Sequence, residues 1–246
     1  MKHILLYTFI AILTLGCSRS GRKKFRENIT PTPSENVHIE PKKGFKVKPK
    51  KVIDESESSL NTLSHLYEKY KNSVFMIYTS DGNQGFQGSG FFISNSGIAI
   101  SNYHVFEGTT IGLENIKTHD GREFKINRVL KRDKDLDFIV FKVDLTNNYS
   151  CRPIPISKNE AIIGEDVFAI GNPRGLESTL SKGIVSGYRE QKNIIQTTAE
   201  ITHGSSGGPL FNMAGQVIGI TTAGLDEANL NFAINLNSIP LDDLLR

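Results

Sequence analysis

Gly204-Ser205-Ser206-Gly207-Gly208-Pro209-Leu210 is the stretch of this 246-residue chain with the clearest chemical content. Glycines on both sides let Ser206 sit in a tight turn with its hydroxyl exposed. Gly204 lets the backbone bend until its own N–H and that of Ser206 point into one small space. Two such donors make an oxyanion hole, where a single donor contributes about 2.7–4 kcal/mol of transition-state stabilisation. A serine hydroxyl is a poor nucleophile until a base takes its proton. Six histidines are available. His3 lies in an N-terminal apolar segment and His38 in a lysine-rich stretch. His65 falls on a candidate helix and His119 beside Asp120-Gly121, and both are expected to face solvent. His203 shares the serine's turn and is expected to border a substrate cleft. His104 directly follows an apolar strand in Ser101-Asn102-Tyr103-His104-Val105-Phe106 and is the candidate base. The acid that orients it should open a buried strand. Asp137, just before Phe138-Ile139-Val140-Phe141, does so, whereas Asp133 and Asp135 sit in the exposed turn ahead of it.

Holding these groups together requires a scaffold, and the scaffold reads as β. Leu60, Leu63, Leu66, Tyr67 and Tyr70 follow helical spacing, with Ser58 or Ser59 as the cap. Short β-type runs come next: 74–79, 85–93, 98–101, 110–117, 123–130, 138–143, 167–170, 180–188, 194–198, 217–222 and 230–234. Asp120-Gly121 between two of them is a hairpin signal. So many short strands, without long helices between them, predict an all-β barrel or sandwich. A short helix from Leu241 to Arg246 is expected to close the domain. Hydrophobic residues at 38% and charged residues at 22% exclude a disordered chain. Two cysteines, Cys17 and Cys151, exclude a disulfide scaffold and a four-thiolate zinc site. Cys151 is expected to be a buried, inert thiol.

The net charge of +3 conceals a split: residues 18–51 carry +8, and everything from Val52 onward carries −6. A basic segment joined to an acidic body excludes a globally basic nucleic-acid binder. Residues 1–16 read as an export signal, with Lys2 ahead of an apolar run from Ile4 to Leu15 that is too short to span a membrane. The run ends in Leu13-Thr14-Leu15-Gly16-Cys17, which resembles a bacterial lipobox, with Thr14 where an aliphatic residue usually stands. Cleavage before Cys17 and acylation of its thiol would anchor the chain in a membrane through lipid. Residues 17–56 then form a solvated, proline- and lysine-rich tether, and residues 57–246 the globular domain.

The order His104–Asp137–Ser206, with gaps of 33 and 69 residues, is that of chymotrypsin-type triads and not that of α/β-hydrolase lipases and esterases. Gly88-Ser89-Gly90-Phe91, residues 101–105, 137–141, Ala169-Ile170-Gly171-Asn172-Pro173-Arg174-Gly175-Leu176, residues 182–187, Gln196-Thr197 and residues 204–210 together resemble the protease domain of the HtrA (Deg) family of bacterial serine proteases. The resemblance covers roughly residues 58–246. It implies two six-stranded β-barrels with short terminal helices and a cleft between the barrels. His104 and Asp137 would come from the first barrel and Ser206 from the second. Residues Thr221, Thr222, Ala223 and Gly224 would form the strand that pairs with substrate backbone. It also implies polypeptide substrates, and leaves open whether the chain forms a homotrimer as HtrA proteins do; no metal or organic cofactor is expected. Family members usually continue into PDZ domains, whereas this sequence ends at Arg246, and they often have Asn where Ser205 stands.

The expected function is a serine endopeptidase of the cell envelope, facing the periplasm. Its rival is a polypeptide-binding protein that keeps the fold without catalysis. Specificity leaves two readings open. Glu200, six residues before Ser206, would read Lys or Arg from the bottom of a narrow pocket. Ile201 would instead shape a shallow apolar pocket for small aliphatic side chains, with Glu200 turned into solvent.

Overall fold

The computed structural model describes residues 62–109, 112–146, 149–172, 178–225 and 230–244, with residues 223–225 described by their backbone. The expected signal, the tether and Cys17 lie outside the described residues. Among the described residues, twelve strands form two closed antiparallel barrels. The first has the order β1-β2-β3-β6-β5-β4, from β1 (Val74–Ser80), β2 (Gly85–Phe92), β3 (Ile98–Asn102), β4 (Asn115–Thr118), β5 (Glu123–Asp133) and β6 (Phe138–Val143). The second has the order β10-β11-β12-β9-β8-β7, from β7 (Asp166–Gly171), β8 (Thr179–Arg189), β9 (Ile194–Thr197), β10 (Pro209–Asn212), β11 (Val217–Leu225) and β12 (Leu230–Asn235). The expected all-β class and both six-stranded barrels are present.

Successive side chains of a strand point to opposite faces, and here both faces are covered. Phe75, Ile77, Phe92, Ala99, Ile139 and Phe141 fill the first barrel. Their neighbours Val74, Phe91, Ile100, Phe138 and Val140 point outward into a second cluster. In the other barrel Val167, Ala169, Leu210, Ile218 and Ala233 point inward. Phe168, Ile170, Phe211, Val217 and Ile234 meet the first barrel's outward set in the shared cluster. Phe168 and Phe211 stack there with ring centroids 4.6 Å apart. Double burial is the reason the first four residues of β6, Phe138 to Phe141, read as an unbroken apolar run instead of alternating.

The helix α1 (Leu63–Tyr70) closes this shared cluster with Leu66 and Tyr70, one turn apart on the same face. Its cap is Thr62, whose hydroxyl accepts from the His65 N–H, in place of the expected Ser58 or Ser59, which lie outside the described residues. Three other expectations need correction. Strand β10 is missing from the predicted runs. It is four residues long, begins with proline and is buried on both faces, so it has no period to detect. The expected final helix is a single turn over its described residues, with the Leu244 N–H donating to Leu241 O. His119, expected to face solvent, is half-buried. Asp120-Gly121 does turn the chain between β4 and β5, with Gly121 at φ +82°.

Candidate active site

Pairing of β3 with β6 places the first two candidate residues side by side. The register sets Ser101 opposite Ile139 and Asn102 opposite Phe138. Asn102 leads straight into a single 3-10 turn, Tyr103–Phe106, which carries His104. Asp137 precedes β6 and therefore faces that turn, so the segment between them, residues 105–136, is an excursion through β4 and β5. Asp137 Oδ2 lies 2.8 Å from His104 Nδ1, and Oδ1 accepts from the His104 backbone N–H at 2.9 Å. One carboxylate thus grips both the ring and the backbone of the same histidine.

Asp137 has φ 51°, a left-handed conformation that is uncommon outside glycine though tolerated by aspartate. Its carbonyl accepts from the Tyr103 N–H at 3.1 Å and from Asn102 Nδ2 at 3.0 Å. Such strain costs on the order of 1–3 kcal/mol and persists where the surroundings over-determine it. Asp133 is occupied elsewhere, its Oδ1 capping the Asp135 and Leu136 amides. Asp135 is exposed. Of the three acids, Asp137 is the one brought to His104.

Ser206 comes from the loop between β9 and β10, which is built from two successive tight turns. The Ser205 N–H donates to Thr202 O at 2.9 Å, with Gly204 at φ +92°; the Gly208 N–H donates to Ser205 O at 3.0 Å, with Gly207 at φ +89°. A positive φ at the third residue of each is what a type II turn requires. Gly207 is doubly constrained, because a Cβ there would sit 2.1 Å from Ser89 O. Among the described residues, neither the Gly204 nor the Ser206 N–H has a hydrogen-bond acceptor. Two unspent donors one residue apart, on either side of Ser205, are what an oxyanion hole needs.

Thr222, on β11, links the two halves. Its hydroxyl donates to Asp137 Oδ2 at 3.2 Å, and its carbonyl accepts from Ser206 Oγ at 2.9 Å. Sequence reasoning placed Thr222 on a substrate-pairing strand and did not see this bridge. The readable signal is the Thr221-Thr222 pair, because adjacent strand positions point to opposite faces. Thr221 is buried, and its hydroxyl lies 2.6 Å from Ser205 O. Around Ala223 the β11–β12 register shifts between Thr221 and Gly224, with Gly224 opposite Asn231.

Ser89 went without a role in the sequence, although a serine between two glycines in a buried strand is a visible anomaly. Its amide donates to Ser206 O at 2.8 Å and its hydroxyl to Gly204 O at 2.7 Å, so β2 of the first barrel holds the loop of the second. Ile201 is buried and its N–H donates to Asn231 Oδ1. Glu200 borders a cavity of about 350 Å³ together with Ile170, Leu180, Thr202, Ser205 and Thr221. None of His104, Asp137 and Ser206 is in that cavity's described lining. His203 is exposed. Burial pushes the Cys151 thiol up from its ordinary range, which keeps it protonated and unreactive.

Residues 88–220 match the family model of the trypsin-like peptidase domain. The chain is 36% identical over 186 residues to "Protease Do-like 1, chloroplastic" of Arabidopsis thaliana, covering 70% of this chain and 40% of that protein. It is 36% identical over 161 residues to "Probable periplasmic serine endoprotease DegP-like" of Rickettsia prowazekii, covering 60% of this chain and 30% of that one. The chain thus spans less than half the length of these curated relatives. Among solved structures, a serine endoprotease from Yersinia pestis superposes with a TM-score of 0.65 at 30% identity, covering 75% of this chain and 67% of its own.

Proposed function

The chain belongs to the trypsin-like peptidase domain family, with Do-like and DegP-like serine proteases among its relatives, and we propose that it is itself a serine endopeptidase that cleaves polypeptides through an acyl-enzyme. The observation that carries this reading is the double grip of Asp137 on His104, beside a serine loop that leaves two amides unspent. Asp137 accepts from Nδ1–H, which leaves Nε2 with the free lone pair a general base requires.

In the proposed cycle Ser206 rotates about χ1, exchanging its bond to Thr222 O for one to His104 Nε2. Its oxygen attacks the scissile carbonyl while His104 takes the proton. The carbonyl oxygen becomes an oxyanion held by the Gly204 and Ser206 amides. Collapse breaks the C–N bond, and the imidazolium returns the proton to the leaving amine. Water, deprotonated by the same histidine, then hydrolyses the acyl-serine and restores the hydroxyl. Asp137 stays ionised throughout and stabilises the imidazolium.

The relatives named periplasmic, together with the apolar run ending at Cys17, support an exported protein. In this reading it is lipid-anchored at Cys17 on the periplasmic side of a membrane and removes envelope polypeptides in quality control. One experiment tests activity and location together: a fluorophosphonate probe applied to fractionated cells. The label is expected on Ser206 in the membrane fraction. Ser206→Ala should abolish it and Cys17→Ser should move it to the soluble fraction. A folded wild-type protein that takes no label would make this a polypeptide-binding protein without catalysis.

A further inference from the structure

The oxyanion donors lie on peptide groups that must be aimed, and the residue that aims the second one is not in the triad. In a trans peptide the C=O and the following N–H point in opposite directions. Whatever fixes Ser205 C=O therefore fixes the direction of the Ser206 N–H. Ser205 O accepts from Thr221 Oγ1 at 2.6 Å and from the Gly208 N–H at 3.0 Å. Thr221 Oγ1 also lies 3.1 Å from Gly208 O, so the contact to Ser205 O is the shorter of the two open to its single proton.

Thr221 is well placed for this. It is 1% exposed, so no water competes for its hydroxyl. Its own backbone is tied to the same loop, its N–H donating to Gly208 O and its carbonyl accepting from the Gly207 N–H, both at 2.8 Å. The preceding peptide is fixed independently, by Ser89 Oγ on Gly204 O and by Thr202 O on the Ser205 N–H. Of these contacts, the Thr221 hydroxyl is the side-chain contact on the peptide that carries the Ser206 donor.

We propose that Thr221 is a positioning residue, its buried hydroxyl clamping Ser205 C=O so that the Ser206 N–H stays aimed at the developing oxyanion. The β11 strand thereby serves the site from both faces: Thr222 bridges acid and serine, and Thr221 aims the donor behind them. The role rests on the peptidase reading above. It predicts a loss in the transition state and not in substrate binding, because the oxyanion forms only after attack.

The test compares Thr221→Val, which keeps the shape and removes the hydroxyl, with Thr221→Ser, which keeps the hydroxyl and removes the methyl. Peptide-cleavage kinetics are read alongside melting temperature. Loss of a whole oxyanion donor costs about 10²–10³ in kcat, which bounds the effect. Thr221→Val is expected to lose roughly tenfold or more in kcat with KM nearly unchanged, and Thr221→Ser to stay near wild type. Wild-type kcat in Thr221→Val, or an equal loss in both variants, would overturn the clamp. Should Thr221→Val not fold, Thr221→Ala replaces it, and equal kcat in the Ala and Ser variants is the overturning result. A crystal structure of the hydroxyl-less variant reads the peptide without turnover: a rotated Ser205–Ser206 peptide supports the clamp, and an unmoved one rejects it. Failure of wild type to cleave counts against the peptidase reading, whereas an unmoved peptide counts against the clamp alone.

Discussion

At the scale of single residues, Asp137 combines a left-handed backbone with contacts to a ring, two backbone amides, an asparagine side chain and a threonine hydroxyl. Geometry and charge can be separated there. Asn in place of Asp keeps the tolerance for positive φ and keeps an oxygen for the His104 amide. It removes the negative charge and presents an amide to Nδ1, which favours the wrong tautomer. Asp137→Asn is therefore expected to lower kcat by about 10⁴-fold while leaving the fold intact. Asp135→Asn should match wild type, because that side chain is exposed. Equal losses in the two variants, measured on one peptide substrate, would move the orienting role away from Asp137.

At the scale of elements, antiparallel register does the positioning. Because β3 and β6 pair with Asn102 opposite Phe138, the residues just past β3 and just before β6 meet without any contact that the intervening hairpin must supply. The Ser206 loop gains its fixed shape from two turns and from β2, whose Ser89 reaches across from the other barrel. The helix α1 acts differently, chiefly through burial: Leu66 is 1% exposed and packs in the shared cluster, while the Tyr67 hydroxyl donates to Ser178 O at 2.9 Å. Truncation of a fully buried leucine costs about 2–5 kcal/mol when the cavity cannot collapse. Leu66→Ala should show a loss of that size in urea unfolding, and a loss well under this range would mean that the helix is dispensable to the barrels.

At the scale of the whole molecule, the two barrels are not independent. The cluster containing Phe91, Phe138 and Val140 of the first also contains Phe168, Phe211 and Ile234 of the second. Separating the barrels would expose these aromatic faces to water at about 25 cal/mol per Å² of apolar surface, and would break the Ser89 contacts to the Ser206 loop. Both barrels are thus expected to unfold in one transition. Tyrosine fluorescence, the natural probe in a chain without tryptophan, and far-UV circular dichroism should give coincident urea curves. Two resolved transitions would show that each barrel stands without the other.

The sequence by itself determined the fold class and named the residues on which the proposed chemistry rests. Residue types and chain order single out Ser206 and His104, and the start of an apolar run singles out Asp137. Dense short strands with turn residues between them point to β-barrels. These signals are local, being set by hydrogen-bonding capacity, φ preference and the two-residue strand period. Tertiary structure decided the rest. Strand β10 has no period because both its faces are buried, and the cap of α1 is Thr62, whose hydroxyl accepts from the His65 N–H. Ser89, Thr221 and Thr222 act on partners 115, 16 and 85 positions away, through Gly204 O, Ser205 O and Asp137 Oδ2. The glycines around Ser89 and the Thr221-Thr222 pair mark these positions as unusual, but nothing local names their partners, so the contacts exist only once the strands have closed into barrels and the barrels have met.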